Sequence, residues 1–207
     1  MHILMRKEEA EEIETILARS GRNNVVLVGE SGVGKTSIVQ GFAQRVYLGT
    51  TQPSLQHKRV FELDVNLILA RARDTATAID LFEKLLTECE RAGNIILVID
   101  NIHNFVGPQH REEVGAIDIS GILIPHLQSD RFQLIAVTDH ASYHTNIERV
   151  PSLAVLFEKV QIRELNAEQT LAILQDITPK LERRHGLLIS YYALWEAVSA
   201  SGSFIQN

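Results

Sequence analysis

Gly29-Glu-Ser-Gly-Val-Gly-Lys35-Thr36 decides the fold. It is a full match to the phosphate-loop pattern G-x-x-x-x-G-K-[ST]. An apolar run, Val25-Val26-Leu27-Val28, precedes it, and Ile38, Phe42, Ala43 and Val46 follow at helical spacing. Strand, loop and helix in that order are what phosphate binding needs, and the flanks argue against a chance match in a surface turn. Glycines let the backbone curl so that successive N–H groups point at phosphate oxygens, and the following helix adds its N-terminal dipole. The expected nucleotide contacts are Gly29, Glu30, Ser31, Gly32, Val33, Gly34, Lys35, Thr36 and Ser37. Lys35 is placed for the β- and γ-phosphates of ATP, and the Thr36 hydroxyl for Mg²⁺.

Outward from the loop, apolar and helical segments alternate. Lys7 to Arg19 reads as an amphipathic helix, with Ile13, Ile16 and Leu17 on one face. Val60 to Asp64 reads as a strand, and Asp74 to Arg91 as a helix buried through Ile79, Phe82, Leu85 and Leu86. Ile95-Ile-Leu-Val-Ile-Asp100 is a β-branched run suited to a central parallel strand. A helix from Ile117 to Leu127 and strands at Phe132–Thr138 and Lys159–Ile162 complete the pattern. It predicts a three-layer α/β fold with a five-stranded parallel sheet over residues 1–163. From residue 164 the chain reads as helices only. Asn166-Ala-Glu-Gln169 has the form of a capping box, Pro179 is expected to kink or split the first helix, and a second runs from Tyr191 to Ala200. Two helices bury little alone, so residues 164–207 are expected to be the start of an incomplete helical lid, and the chain a piece of a longer protein.

Asp100 ends its apolar run as a Walker B acid does, which makes Thr36 and Asp100 the expected Mg²⁺ residues. Composition narrows the alternatives. With 20 Lys and Arg against 26 Asp and Glu, a net charge of −6 argues against a nucleic-acid surface. Cys89 is the single cysteine, so no disulfide framework or cysteine metal site is available. Apolar runs fall well short of the ~20 residues that span a bilayer. His140 and His144 share a helical spacing but lack the intervening Glu of a zinc motif. No nucleic acid, no membrane and a cytoplasmic location are the resulting expectations.

The chain resembles the first ATPase module of the Clp-type AAA+ unfoldases, the ClpB/ClpC group, from about Ile3 to Ile205. The resemblance is carried by Arg22 to Thr36, Gly41-Phe-Ala-Gln-Arg45, Ile99-Asp-Asn-Ile-His103 with Val106-Gly107, Gly115-Ala-Ile-Asp118 and Leu123-Ile-Pro125. It implies an ATP- and Mg²⁺-binding AAA+ P-loop large subdomain and a hexameric ring with other AAA+ subunits. It also implies client polypeptides threaded through the pore, a Clp-type peptidase as a further partner, and Ile3 and Leu4 against the adenine. The chain departs from the family's pattern at four places. Asn101 replaces the Glu that polarises the attacking water, a loss of about 10²–10⁴ in rate for a general base. Ala154-Val155-Leu156 stands where paired arginines would reach a neighbour's γ-phosphate, a contribution of about 10³–10⁵ in the GTPase case. Asp74 occupies the place of the pore-loop aromatic, beside Arg71 and Arg73, which read as solvated loop charges or as a client contact. Asp139 follows Thr138 where a Thr is expected. The candidate catalytic residues are therefore Asn101, which orients water but takes no proton, and Asp139, a substitute acid. These readings predict weak or absent hydrolysis. A fully active unfoldase using a substitute base, and a nucleic-acid-linked AAA+ loader, stay open as alternatives.

Overall fold

A computed structural model describes residues 6–107 and 118–204. The chain divides into two units, residues 8–162 and a second made of residues 1–7 with 163–207.

The larger unit is built on a five-stranded sheet. β1 (Val25–Val28), β2 (Arg59–Glu62), β3 (Ile95–Ile99), β4 (Gln133–Thr138) and β5 (Glu158–Gln161) lie in the order β2-β3-β4-β1-β5. All pairings are parallel, with Val28 opposite both Thr138 and Gln161, and Ile99 opposite Ala136. Parallel strands need crossovers, so helices cover both faces. Strand alternation sorts the core accordingly. Val25, Leu27, Ile96, Val98, Ile135 and Val137 face α1 (Lys7–Leu17) and α2 (Lys35–Tyr47), where Ile13, Leu17, Ile38 and Phe42 pack. Val26, Val28, Leu97, Ile99, Leu134 and Ala136 face α4 (Thr75–Ala92) and α5 (Ser120–Leu127) through Phe82, Leu86, Leu123 and Leu127. The expected three layers are present.

Several elements depart from the sequence reading. The buried stripe of α4 is Ala78, Phe82, Leu86 and Cys89; Ile79 and Leu85 sit half-buried at its flanks. A helix the sequence reading lacks, α3 (Val65–Arg71), follows β2, capped by Asp64, whose carboxylate accepts the Leu67 N–H at 3.0 Å. After β4 come α6 (His140–Ser142), a π-helical turn (Tyr143–Ile147) and α7 (Pro151–Ala154). In the second unit, α8 (Ala167–His185) runs unbroken through Pro179, so the proline does not split it. Asn166 and Gln169 form the expected capping box, at 2.8 and 3.1 Å. α9 (Tyr191–Phe204) packs on α8, and Leu188, Tyr192 and Trp195 stay exposed.

Asn24 ties the sheet to its surroundings. Fully buried, it donates to the Leu127 carbonyl at 2.9 Å and accepts the Leu134 N–H at 3.0 Å through its side chain, while its own carbonyl accepts the Glu158 N–H at 2.9 Å. We predict that Asn24→Ala destabilises the protein by about 2–4 kcal/mol, because it strands a buried donor and a buried acceptor. A urea midpoint equal to wild type would show that these groups find other partners.

Candidate functional site: a phosphate loop at the carboxyl edge of the sheet

The loop from β1 to α2 is shaped by close approach. A Cβ on Gly29 would sit 2.5 Å from the Ile162 carbonyl oxygen, so only glycine lets the chain turn off the sheet beside β5. Gly34 takes φ +97 as it enters α2, a left-handed conformation that side chains rarely adopt. No side chain caps α2. Its first N–H groups have no acceptor within the helix and suit an anion. The Lys35 ammonium donates to the carbonyls of Gly29 and Glu30 at 2.7 and 2.8 Å, which fixes it across the mouth of the loop. Two of its three protons are used there, and the third is left to reach a phosphate oxygen. Thr36 and Ser37 are exposed on the first turn.

Strand order brings the remaining residues to this edge. β4 pairs with both β1 and β3, so the ends of β1, β4 and β3 deliver Gly29, Thr138-Asp139 and Asp100 side by side. Asp100 is half-buried, and one of its oxygens accepts the Asn101 N–H at 2.9 Å. Asn101 is exposed at φ +49, starting a 3₁₀ turn over Ile102–Asn104. Asn tolerates this left-handed conformation better than most side chains. On the side away from β4, a polar cavity of about 440 Å³ opens among Glu62, Asp64, Asn66, Asp100, Asn101 and Asn104. Hydroxyl and carboxylate groups such as those of Thr36 and Asp100 are the hard oxygen donors that Mg²⁺ takes, with water and phosphate completing its shell. The residues present fit a Mg²⁺–nucleotide.

Asp139 is engaged differently from a free base. Its Oδ1 accepts the Ser142 N–H at 2.7 Å, capping α6, and its Oδ2 lies 3.8 Å from Nε2 of His103. Burial pushes its pKa up, but the hydrogen bonds from Ser142, to which His103 adds when its imidazole is protonated, outweigh that and hold it below the ordinary aspartate value. Such a carboxylate is a poorer proton acceptor than a free one. His103 is the residue the sequence reading left without a role. Its Nδ1 lies 2.9 Å from Oγ1 of buried Thr138, and Asn146 donates to its carbonyl at 3.3 Å. With Thr138 donating to Nδ1, the Nε2–H faces Asp139, an arrangement that suits both neighbours.

The other departures also find places. Asp74 caps α4, accepting the Thr77 N–H at 2.7 Å, and this bond draws its pKa down. Val155 is 51% exposed after α7, while Leu156 packs against the core. His144 pairs with Glu148. Among the described residues no group of three or more His, Cys, Asp or Glu is placed to hold a metal by itself. Ile3, Leu4 and Gly115–Ile117 lie outside the described residues.

The model of the ATPase family associated with various cellular activities, AAA, matches residues 25–161, from β1 to the end of β5. The chain belongs to the AAA family. This AAA module is 36% identical over 205 residues to the ATP-dependent Clp protease ATP-binding subunit ClpA homolog of Cyanidium caldarium, covering 99% of this chain and 24% of the relative. It is 34% identical over 206 residues to the chaperone protein ClpB 1 of Synechocystis, covering 99% and 23%. The Saccharomyces cerevisiae Hsp104:casein complex superposes with a TM-score of 0.83 at 30% identity, over 97% of this chain and 34% of that one. The chain thus spans about a quarter of the length of the curated relatives it matches. Its similarity is to Clp- and Hsp104-type AAA+ modules, and nucleotide binding follows from the family. Among the described residues no helix is long and apolar enough to cross a membrane.

Proposed function

We propose that this AAA module binds ATP·Mg²⁺ and hydrolyses it slowly or not at all, acting as a nucleotide-dependent clamp in a ring whose other modules do the hydrolysis. The observation that carries the binding reading is the uncapped start of α2 behind Lys35, one strand removed from the ends of β4 and two from Asp100. Lys35 and the loop N–H groups of Gly29 to Ser37 hold the phosphates. Thr36 and Asp100 hold the Mg²⁺, which when bound offsets phosphate charge. Ile3 and Leu4 are assigned to the adenine by resemblance alone.

Weak hydrolysis is supported by Asn101, an amide that cannot accept a proton, by the lack of arginine at 154–156, and by Asp139's engagement as a cap. Partner AAA+ subunits in a hexameric ring, polypeptide clients, a Clp-type peptidase and a cytoplasmic setting are proposed from the likeness to ClpA, ClpB and Hsp104.

Titration calorimetry with ATP, with and without EDTA, tests the assignment of Asp100. Asp100→Ala is expected to lower affinity in Mg²⁺ by about tenfold and to leave metal-free affinity within about twofold, since one charged contact to the metal's shell is lost. If chelation costs wild type and mutant the same factor, Asp100 lies outside the Mg²⁺ shell.

A further inference from the structure

Asp139 follows β4, the strand between β1 and β3. On the nucleotide reading above, the loop after β1 grips the inner phosphates, and Mg²⁺ is shared toward Asp100 at the end of β3. A polyphosphate held by both would cross the end of β4, with its terminal phosphate toward β3. Adjacent strands lie about 4.8 Å apart, so the backbone of Asp139 stands one strand spacing from the ends of β1 and β3, and its carboxylate within about twice that of a phosphate held between them.

Its carboxylate is fixed there from two sides. Ser142 N–H binds Oδ1 at 2.7 Å, and His103, itself set by Thr138 at 2.9 Å, faces Oδ2 at 3.8 Å. The N-cap duty alone does not call for a charge, because Asn and Ser cap helices about as well as Asp. What Asp adds over Asn is one negative charge, held beside the place where a triphosphate carries its extra phosphate.

We propose that Asp139 is a specificity-determining residue that selects against the terminal phosphate, setting the relative affinity of this site for nucleoside diphosphate over triphosphate. It acts by repulsion, against the attraction supplied by Lys35 and Mg²⁺. At about 8 Å, with an effective dielectric between that of water and that of a protein surface, one unit charge shifts affinity by roughly threefold to thirtyfold.

Calorimetry on the whole chain with Mg²⁺-ADP and Mg²⁺-ATPγS tests this, using Asp139→Asn and Asp139→Ser. Both keep a capping side chain, so loss of one variant to misfolding leaves the other. The expected result is a ratio of ATPγS to ADP dissociation constants that falls threefold to thirtyfold in either variant. A ratio unchanged from wild type, whatever happens to the separate affinities, would overturn the proposal and leave Asp139 as a cap alone. Wild type binding neither nucleotide would instead overturn the underlying nucleotide reading, and this inference with it.

Discussion

Lys35→Ala is expected to lower ATP·Mg²⁺ affinity by at least about a hundredfold while the folded core stays intact. A hydrogen bond to a charged group is worth about 1.5–3 kcal/mol, and the Lys35 ammonium adds to its one free proton the attraction of a full charge for the phosphates. The mutation acts twice. It removes the cation, and it removes the contacts that tie the Gly29 and Glu30 carbonyls to the start of α2 at 2.7 and 2.8 Å. Lys35 is half-buried and lies in neither core cluster, so the thermal midpoint should move by only a few degrees. Calorimetry paired with a melting curve separates the two consequences. Unchanged affinity would mean that phosphate binds elsewhere.

The second large effect is expected only from a pair of changes. Asn101→Glu restores a group able to take a proton from water, yet position 101 sits at φ +49, which costs Glu about 1 kcal/mol more than Asn. No cation is added near the γ-phosphate. A modest gain in turnover, below about tenfold, is therefore predicted for the single change. The cation belongs at Val155 rather than Leu156, because Val155 is exposed and Leu156 packs on the core. Val155→Arg alone lacks a base and should also gain little. Together, at protein concentrations that bring subunits into contact, they are expected to raise turnover on the order of a hundredfold or more, since charge stabilisation is usually the larger part of phosphoryl transfer. A kinetic double-mutant cycle reads the coupling. Brisk ATPase in the unmodified chain would sink the slow-hydrolysis proposal.

The sheet and the loop were legible because their signals are local. Val25–Val28 and Ile95–Ile99 are continuous apolar runs, and GESGVGKT is a contiguous motif whose flanks fix its setting. What escaped the sequence reading depends on neighbours or on short-range backbone detail. α3 is seven residues with only Val65 buried, too short for a periodic stripe to register. The stripe of α4 shifted because Ala78 and Cys89 are small, and the bulkier Ile79 and Leu85 beside them carry more of the apolar pattern while sitting at its flank. Asp74 reads as an odd residue in a loop until it is seen beneath the Thr77 N–H. Asn101's left-handed backbone and the Thr138–His103–Asp139 contacts join segments 35 residues apart, and no spacing rule announces them.

The position of β1 between β4 and β5 carries a kinetic cost. Its two partners, β4 and β5, lie more than 100 residues downstream, so neither exists when β1 leaves the ribosome. At about 5–20 residues per second, roughly 10 s of synthesis separates β1 from the strands that flank it. Throughout that interval Val25-Val-Leu-Val28 is an apolar segment with both edges open, the kind of surface that aggregates or recruits a holdase. Gly29 rests against Ile162, so the loop cannot take its final shape until the last strand docks. The nucleotide site is thus assembled at the end of folding, and a nascent chain that binds nucleotide has already closed its sheet.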